Sequence, residues 1–177
     1  MVRDRRNDLA ERVCGTVLQS VDEVTVGAHP LSSPAMSYQI LKAYLWFIAA
    51  FHLLVGIAVN VSSSLTQMIA RGYGATVDWT PQFTYILHPL GAFMIALGVI
   101  AIAAARDPRK YSAVVGGFVL LFAIRALHRV IFGGAITAAF GIPSSRNMIA
   151  FVIFALQAVV LFVLWRAAMR DTGGQTA

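Results

Sequence analysis

Carboxylates are scarce in this chain and missing from its apolar stretches. Of 177 residues only eight are Asp or Glu, against 14 Lys and Arg. Five of the eight acids, Asp4, Asp8, Glu11, Asp22 and Glu23, stand in the first 37 residues. The long apolar runs hold none, which disfavours a proton relay, since such chains in membranes generally use acidic side chains. Cysteine is nearly absent too. The single Cys14 excludes an internal disulfide and has no CxxC partner, so it reads as an ordinary reduced thiol. Charge as a whole is sparse, at 12% of residues where a soluble domain carries about a quarter. Much of the surface therefore faces lipid. No secretory signal peptide is expected, because the first apolar run begins only near Tyr38, after a polar tail and without a small-residue cleavage site. No internal repeat is found.

What is there is four apolar runs, roughly 38–61, 83–105, 111–132 and 147–165, in a chain of mean hydropathy +0.72. Each is near the ~20 residues that cross a hydrocarbon core. Each must be helical, because a lone strand leaves backbone groups unpaired in lipid. The expected fold is an all-α integral membrane protein, an antiparallel four-helix transmembrane bundle with a polar N-terminal tail. Residues 1–37 form the tail, 38–168 the membrane domain and 169–177 a short C-terminal tail. Leu9, Val13, Val17 and Val21 recur every four residues, as in a surface amphipathic helix, whereas the acids around them suit a solvated segment. His29-Pro30 and Ser32-Ser33-Pro34 read as an extended linker.

The net charge of +6 is placed as the positive-inside pattern requires. Arg3, Arg5, Arg6, Arg12 and Lys42 precede or open run one; Arg106, Arg109 and Lys110 separate runs two and three; Arg166 and Arg170 follow run four. The other two connections hold only Arg71 and Arg146. Both termini are expected in the cytoplasm, with the basic rim against anionic headgroups and no need for nucleic acid. The five-residue connection Arg106-Asp107-Pro108-Arg109-Lys110 predicts a tight antiparallel hairpin of runs two and three. In the first external connection Leu65, Met68 and Ile69 predict a short interfacial turn, broken by Arg71-Gly72-Tyr73-Gly74.

Polar side chains within the runs carry the functional signal. At a rise of about 1.5 Å per residue, His88 lies roughly 8 Å, His128 roughly 6 Å, Arg125 roughly 10 Å and His52 roughly 12–14 Å from the outer boundary. Arg129 is shallower still. All five fall in the outer half. Arg125, His128 and Arg129, spaced i, i+3 and i+4, share one helix face. Tyr44, His52, Gly56 and Asn60 form a stripe on run one, and His88, Gly91, Ile95 and Gly98 follow a 3-4-3 pattern on run two. Gln157 of run four sits near mid-membrane and completes a fourth wall. Each group also has a bland reading. Arg129 can snorkel to headgroups, a membrane histidine often only bonds a neighbouring helix, and the small-residue stripes are packing seams.

The expected pocket is lined by His52, His88, Arg125 and His128, with Arg129 and Gln157 secondary. It offers positive charge and imidazole without a counter-charge. A lipid phosphate, an organic acid or a quinone carbonyl would complete it. Asp78, the only acid in the external connections, is an alternative partner for Arg125 or Arg129. A b-type haem held by His88 and His128, with arginines meeting propionates, is the redox alternative. A three-histidine metal site with His52 lacks any diagnostic spacing. Purely structural pinning of helices is the third reading.

The layout resembles the small bacterial DoxX-like membrane proteins, including the BphX-like group. The features that carry it are Ala50-Phe51-His52-Leu53-Leu54-Val55-Gly56, His88-Pro89-Leu90-Gly91-Ala92-Phe93, the Arg106–Lys110 loop, and Arg125 and Arg129 running into Gly133-Gly134. The resemblance covers about residues 38–166. It implies a compact four-helix bundle in the bacterial cytoplasmic membrane, and a family in which some members are linked to quinone-coupled sulfur oxidation or oxidative-stress complexes and others to aromatic degradation. It assigns no catalytic residue. The resulting expectation is a non-enzymatic membrane accessory protein, whose partners are membrane lipids, a quinone or anionic small molecule, and subunits of a membrane complex.

Overall fold

The computed structural model describes residues 34–170. The readings of the N-terminal tail, with Cys14 and His29, and of the extreme C-terminal tail lie outside the described residues. Within them the chain forms six helices: α1 (Pro34–Val61), α2 (Ser63–Gly72), α3 (Pro81–Arg106), α4 (Ser112–Ile131), α5 (Gly133–Phe140) and α6 (Ser144–Arg170). The described residues contain no strand. Helices α1, α3, α4 and α6 are each long and apolar enough to cross a membrane. Their outward faces are apolar as well, with Leu54 69% and Phe93 68% exposed. Apolar surface of this extent on four helices of spanning length suits lipid, and the chain is a multi-pass membrane protein.

The two remaining helices cap one end. Helix α2 exceeds the expected turn because Ser62 caps it, its Oγ accepting from Leu65 N at 3.3 Å. It ends where Gly74 takes φ +85°, a left-handed conformation suited to glycine. Helix α5 falls where only a connection was expected. Its Ala-rich segment favours helix once Gly133 and Gly134 are confined to the first turn. Gly141, at φ +65°, closes it. The two cap segments are joined through Thr76 N, which donates to Phe140 O at 2.8 Å. Arg146 Nη1 also donates to Gly72 O, at 3.3 Å.

The four long helices associate as two antiparallel pairs. Helix α1 packs on α3, α4 packs on α6, and α1 against α6 joins the pairs. The expected α3–α4 hairpin has its short loop, but these helices meet over a limited stretch only. The reason is the placement of small residues. Gly56 of α1 and Gly91 and Gly98 of α3 bring the two backbones together. A Cβ on Gly56 would stand 2.7 Å from Gly91 O, and one on Gly98 would stand 2.6 Å from Leu53 Cγ. Helices with facing small residues approach closely and gain dispersion contacts. Helix α3 is thus drawn to α1 and away from α4.

The close-packed core occupies the half of the bundle beside the Arg106–Lys110 loop, here the basic end. Leu41, Leu45, Ile48, Ala101, Ala104, Ala105, Val115 and Leu161 are essentially inaccessible there. Trp165 Nε1 donates to Ser112 Oγ at 3.0 Å and pins α4 to α6 at this end. The opposite, capped end is splayed.

Overpacking a tight seam costs about 1–3 kcal/mol. Gly56→Val is expected to lower unfolding stability by at least that much, read by denaturant titration in detergent. Gly117→Ala is the control: its added Cβ meets nothing within 4 Å, and alanine is the better helix former by about 1 kcal/mol.

Candidate functional site

Splaying of the capped half leaves two cavities. The larger, about 770 Å³, lies where α3 and α4 part, and Tyr73 and α5 also border it. From α4 it takes Arg125, His128 and Arg129, from α1 Phe51, Val55 and Val59, from α3 Leu87, Leu90, Gly91 and Met94. The smaller, about 270 Å³, lies between α1 and α6 and is lined by His52, Arg125, Arg146, Gln157, Tyr73 and several phenylalanines. Neither lining contains a carboxylate. Arg125, Tyr73, Phe51 and Phe154 border both.

Helical periodicity explains this arrangement. Arg125, His128 and Arg129 lie on one face of α4, as their spacing requires, and that face looks into the gap that α3 vacates. The Arg125 guanidinium sits 4.6 Å above the centre of the Phe154 ring, and that of Arg129 lies 5.9 Å from the same ring. One ring therefore serves two cations. Cation–π attraction is worth about 0.5–2 kcal/mol, while like charges four residues apart on a helix repel. Among the described residues Arg125 has no hydrogen-bond or ion-pair partner. Asp78 is exposed and forms no ion pair among the described residues, so it does not fold back over Arg125 or Arg129.

Arg129 is differently placed. Its Nη1 donates to Asn147 Oδ1 at 3.2 Å, while Asn147 Nδ2 donates to Arg129 O at 2.8 Å. The two-way bond fixes the amide orientation and clasps α4 to α6 at the capped end. Arg129 thus has a structural tie in addition to its place on the cavity wall, and snorkelling is not needed to account for it.

His52 is 1% exposed. Its Nδ1 is 2.8 Å from Ile48 O, one turn back. A carbonyl only accepts, so Nδ1 carries the proton, and the neutral ring then has a bare lone pair on Nε2. Nε2 is buried without a partner among the described residues, as is Oε1 of Gln157. A buried unsatisfied polar atom costs about 1–3 kcal/mol. Edge-on contacts with Phe51 and Phe118, at 5.7 and 5.9 Å between centroids, fix the imidazole plane.

The structure therefore brings together His52, Arg125 and Gln157 on one cavity, and Arg125, His128 and Arg129 on the other. It does not bring in His88. That side chain is exposed and lines neither cavity. Three residues before Gly91, the helix face has turned about 60° from the glycine seam. His88 thus leaves the stripe it shares in sequence with Gly91 and Gly98. The two histidines considered as axial haem ligands consequently do not face one cavity, and the ring of His128 packs on Phe132 at 4.5 Å. Three histidines do not converge either: among the described residues no cluster of three His, Cys, Asp or Glu side chains has metal-binding geometry.

Sequence reasoning missed Phe154, Asn147, Tyr73 and Arg146. Phe154 and Asn147 lie in run four, where an apolar ring and a terminal amide look ordinary. Tyr73 and Arg146 reach the site only through the fold of the cap. Comparison with family models, with curated proteins and with solved structures finds no match to this chain.

The clasp gives a direct test. Asn147→Ala removes both bonds to Arg129 and is expected to destabilise the bundle by about 1–3 kcal/mol, measured as a shift in denaturation midpoint. Asn60→Ala, which loses one bond within its own helix, should cost less.

Proposed function

We propose that this chain is a non-enzymatic membrane accessory protein that holds an acceptor-rich or anionic amphiphile, of lipid-like or quinone-like shape, in the capped half of its bundle. The head of the ligand sits on Arg125 and Arg129, and its apolar body fills the gap between α3 and α4. One observation carries this reading. Arg125 stands inside a membrane bundle, borders both cavities, and has no carboxylate in either lining. An unpaired cation at that depth is expensive, and an anionic or carbonyl oxygen accepting from its fork relieves that cost.

The same reading puts the protein in the bacterial cytoplasmic membrane with both termini in the cytoplasm, and groups it with the DoxX-like four-span proteins. Support for the orientation is the gathering of Lys42, Arg106, Arg109, Lys110, Arg166 and Arg170 toward one end of the bundle. The four-span layout supports the grouping. Partner subunits of a membrane complex belong to the proposal too.

Two experiments check it. Native mass spectrometry of the purified chain should show a retained acidic lipid or quinone. Arg125→Gln should cut that occupancy about tenfold, as expected for a lost charge-assisted hydrogen bond, and Arg125→Lys should keep part of it. Unchanged occupancy in Arg125→Gln would remove the proposal's foundation. For orientation, the chain's single cysteine, Cys14, should react with a membrane-impermeant maleimide only after cells are permeabilised; labelling of intact cells reverses the topology.

A further inference from the structure

The charge of the larger cavity narrows what it can hold. Arg125 and Arg129 both border it, and its lining contains no carboxylate. Both guanidinium groups lie over the Phe154 ring, at 4.6 and 5.9 Å from its centre, so the two cations are neighbours. Asn147 balances neither charge. It is a neutral amide and takes one N–H of Arg129, out of the five that a guanidinium carries. Like charges one helical turn apart repel, and more strongly away from water. A neutral carbonyl ligand leaves both cations uncompensated, and a monoanion leaves one. A phosphate monoester carries a charge of about −1.5 to −2 at pH 7 and three acceptor oxygens, which two guanidinium forks can share. The remaining wall is mainly apolar, with Val55, Val59, Leu87, Leu90, Met94 and Ile136. About 770 Å³ lies within the range of small-molecule sites. It has room for a head group and the first part of a chain, whose remainder leaves through the gap between α3 and α4.

We infer that the preferred ligand of this cavity is a membrane-soluble phosphate monoester, its single terminal phosphate shared between Arg125 and Arg129 and its long apolar chain in the α3–α4 gap. The inference rests on the function proposed above and narrows its ligand class: phosphodiester lipids and quinones bind less well, because each leaves positive charge over. Phosphatidic acid and a prenyl monophosphate share the required head and differ in the chain.

The test uses the full chain in phosphatidylcholine nanodiscs doped with equal mole fractions of dioleoyl phosphatidic acid and dioleoyl phosphatidylglycerol. The two carry the same acyl chains, but the first is a monoester and the second a singly charged diester. Native mass spectrometry reads which of them the protein retains. Phosphatidic acid is expected about tenfold over phosphatidylglycerol, the ratio that one further charge-assisted hydrogen bond implies. Arg129→Gln should bring the ratio close to one. Asn147→Ala breaks the clasp but keeps both charges and should preserve the ratio, which separates charge from folding. If Arg129→Gln fails to fold, Arg125→Gln supplies the second reading and should remove the ratio together with most of the occupancy. Farnesyl monophosphate in the same discs distinguishes the chain: displacement of phosphatidic acid assigns an isoprenoid, its failure an acyl lipid, and retention of neither monoester overturns the inference. Equal retention of the two phospholipids, retention of a quinone in their place, or a ratio untouched by both arginine substitutions overturns it as well. Where occupancy by another ligand still falls in Arg125→Gln, this inference alone is lost. Where nothing is retained, or Arg125→Gln changes nothing, the function proposed above is lost with it.

Discussion

The approach of α3 to α1 governs the remainder of the bundle. Gly56, Gly91 and Gly98 add no side chain of their own to the seam, and a Cβ on them would run into Gly91 O, the Asn60 amide and Leu53 Cγ respectively. In lipid, where apolar surface gains little from mere burial, such close contact is a main source of helix association. A helix that commits its small-residue face to one neighbour cannot offer it to another. Helix α3 therefore leaves α4 although the loop between them is only a few residues long, and a cavity opens on the face of α4 that carries Arg125, His128 and Arg129.

The other pair is held differently. Helices α4 and α6 are joined by polar bonds at both ends, Trp165 to Ser112 at the basic end and Arg129 to Asn147 at the capped end. Between these lie Phe118, Phe122, Phe154 and Leu161 of the core. The α4–α6 pair is thus a frame on which two arginines are mounted. Both guanidinium groups lie over the ring of Phe154, and among the described residues only that of Arg129 has a hydrogen bond to an oxygen. Arg129 thus braces α4 on α6 while also bordering the larger cavity, and Arg125 borders both cavities without such a tie among the described residues.

Much of the fold was legible in the sequence. The four spans, their helical form and their sparse charge follow from apolar run length and hydrogen bonding in lipid, and the structure has each span within a few residues of its expected limits. The shared face of Arg125, His128 and Arg129 was legible because helical spacing is rigid. His88 was not legible. Its depth matched the others, but depth says nothing about azimuth, and a three-residue step turned it away from the seam. Helix pairing was misread for a related reason: loop length suggests neighbours, whereas packing chooses them. Helix α5 was hidden because Gly133-Gly134 lie in what was expected to be only a connection, although they open a helix. Tyr73 and Arg146 enter through tertiary contacts that no local pattern encodes.

The hydrogen bond from Thr76 to Phe140, with the Arg146 tie to Gly72 beside it, has a consequence for traffic. It staples the two headpieces to one another at the capped end, so a ligand of the kind proposed would meet paired backbone there. The slit between α3 and α4 has no such staple. A ligand of the kind proposed, entering by that slit, would come sideways out of the acyl chains, and its occupancy would then follow its concentration in lipid.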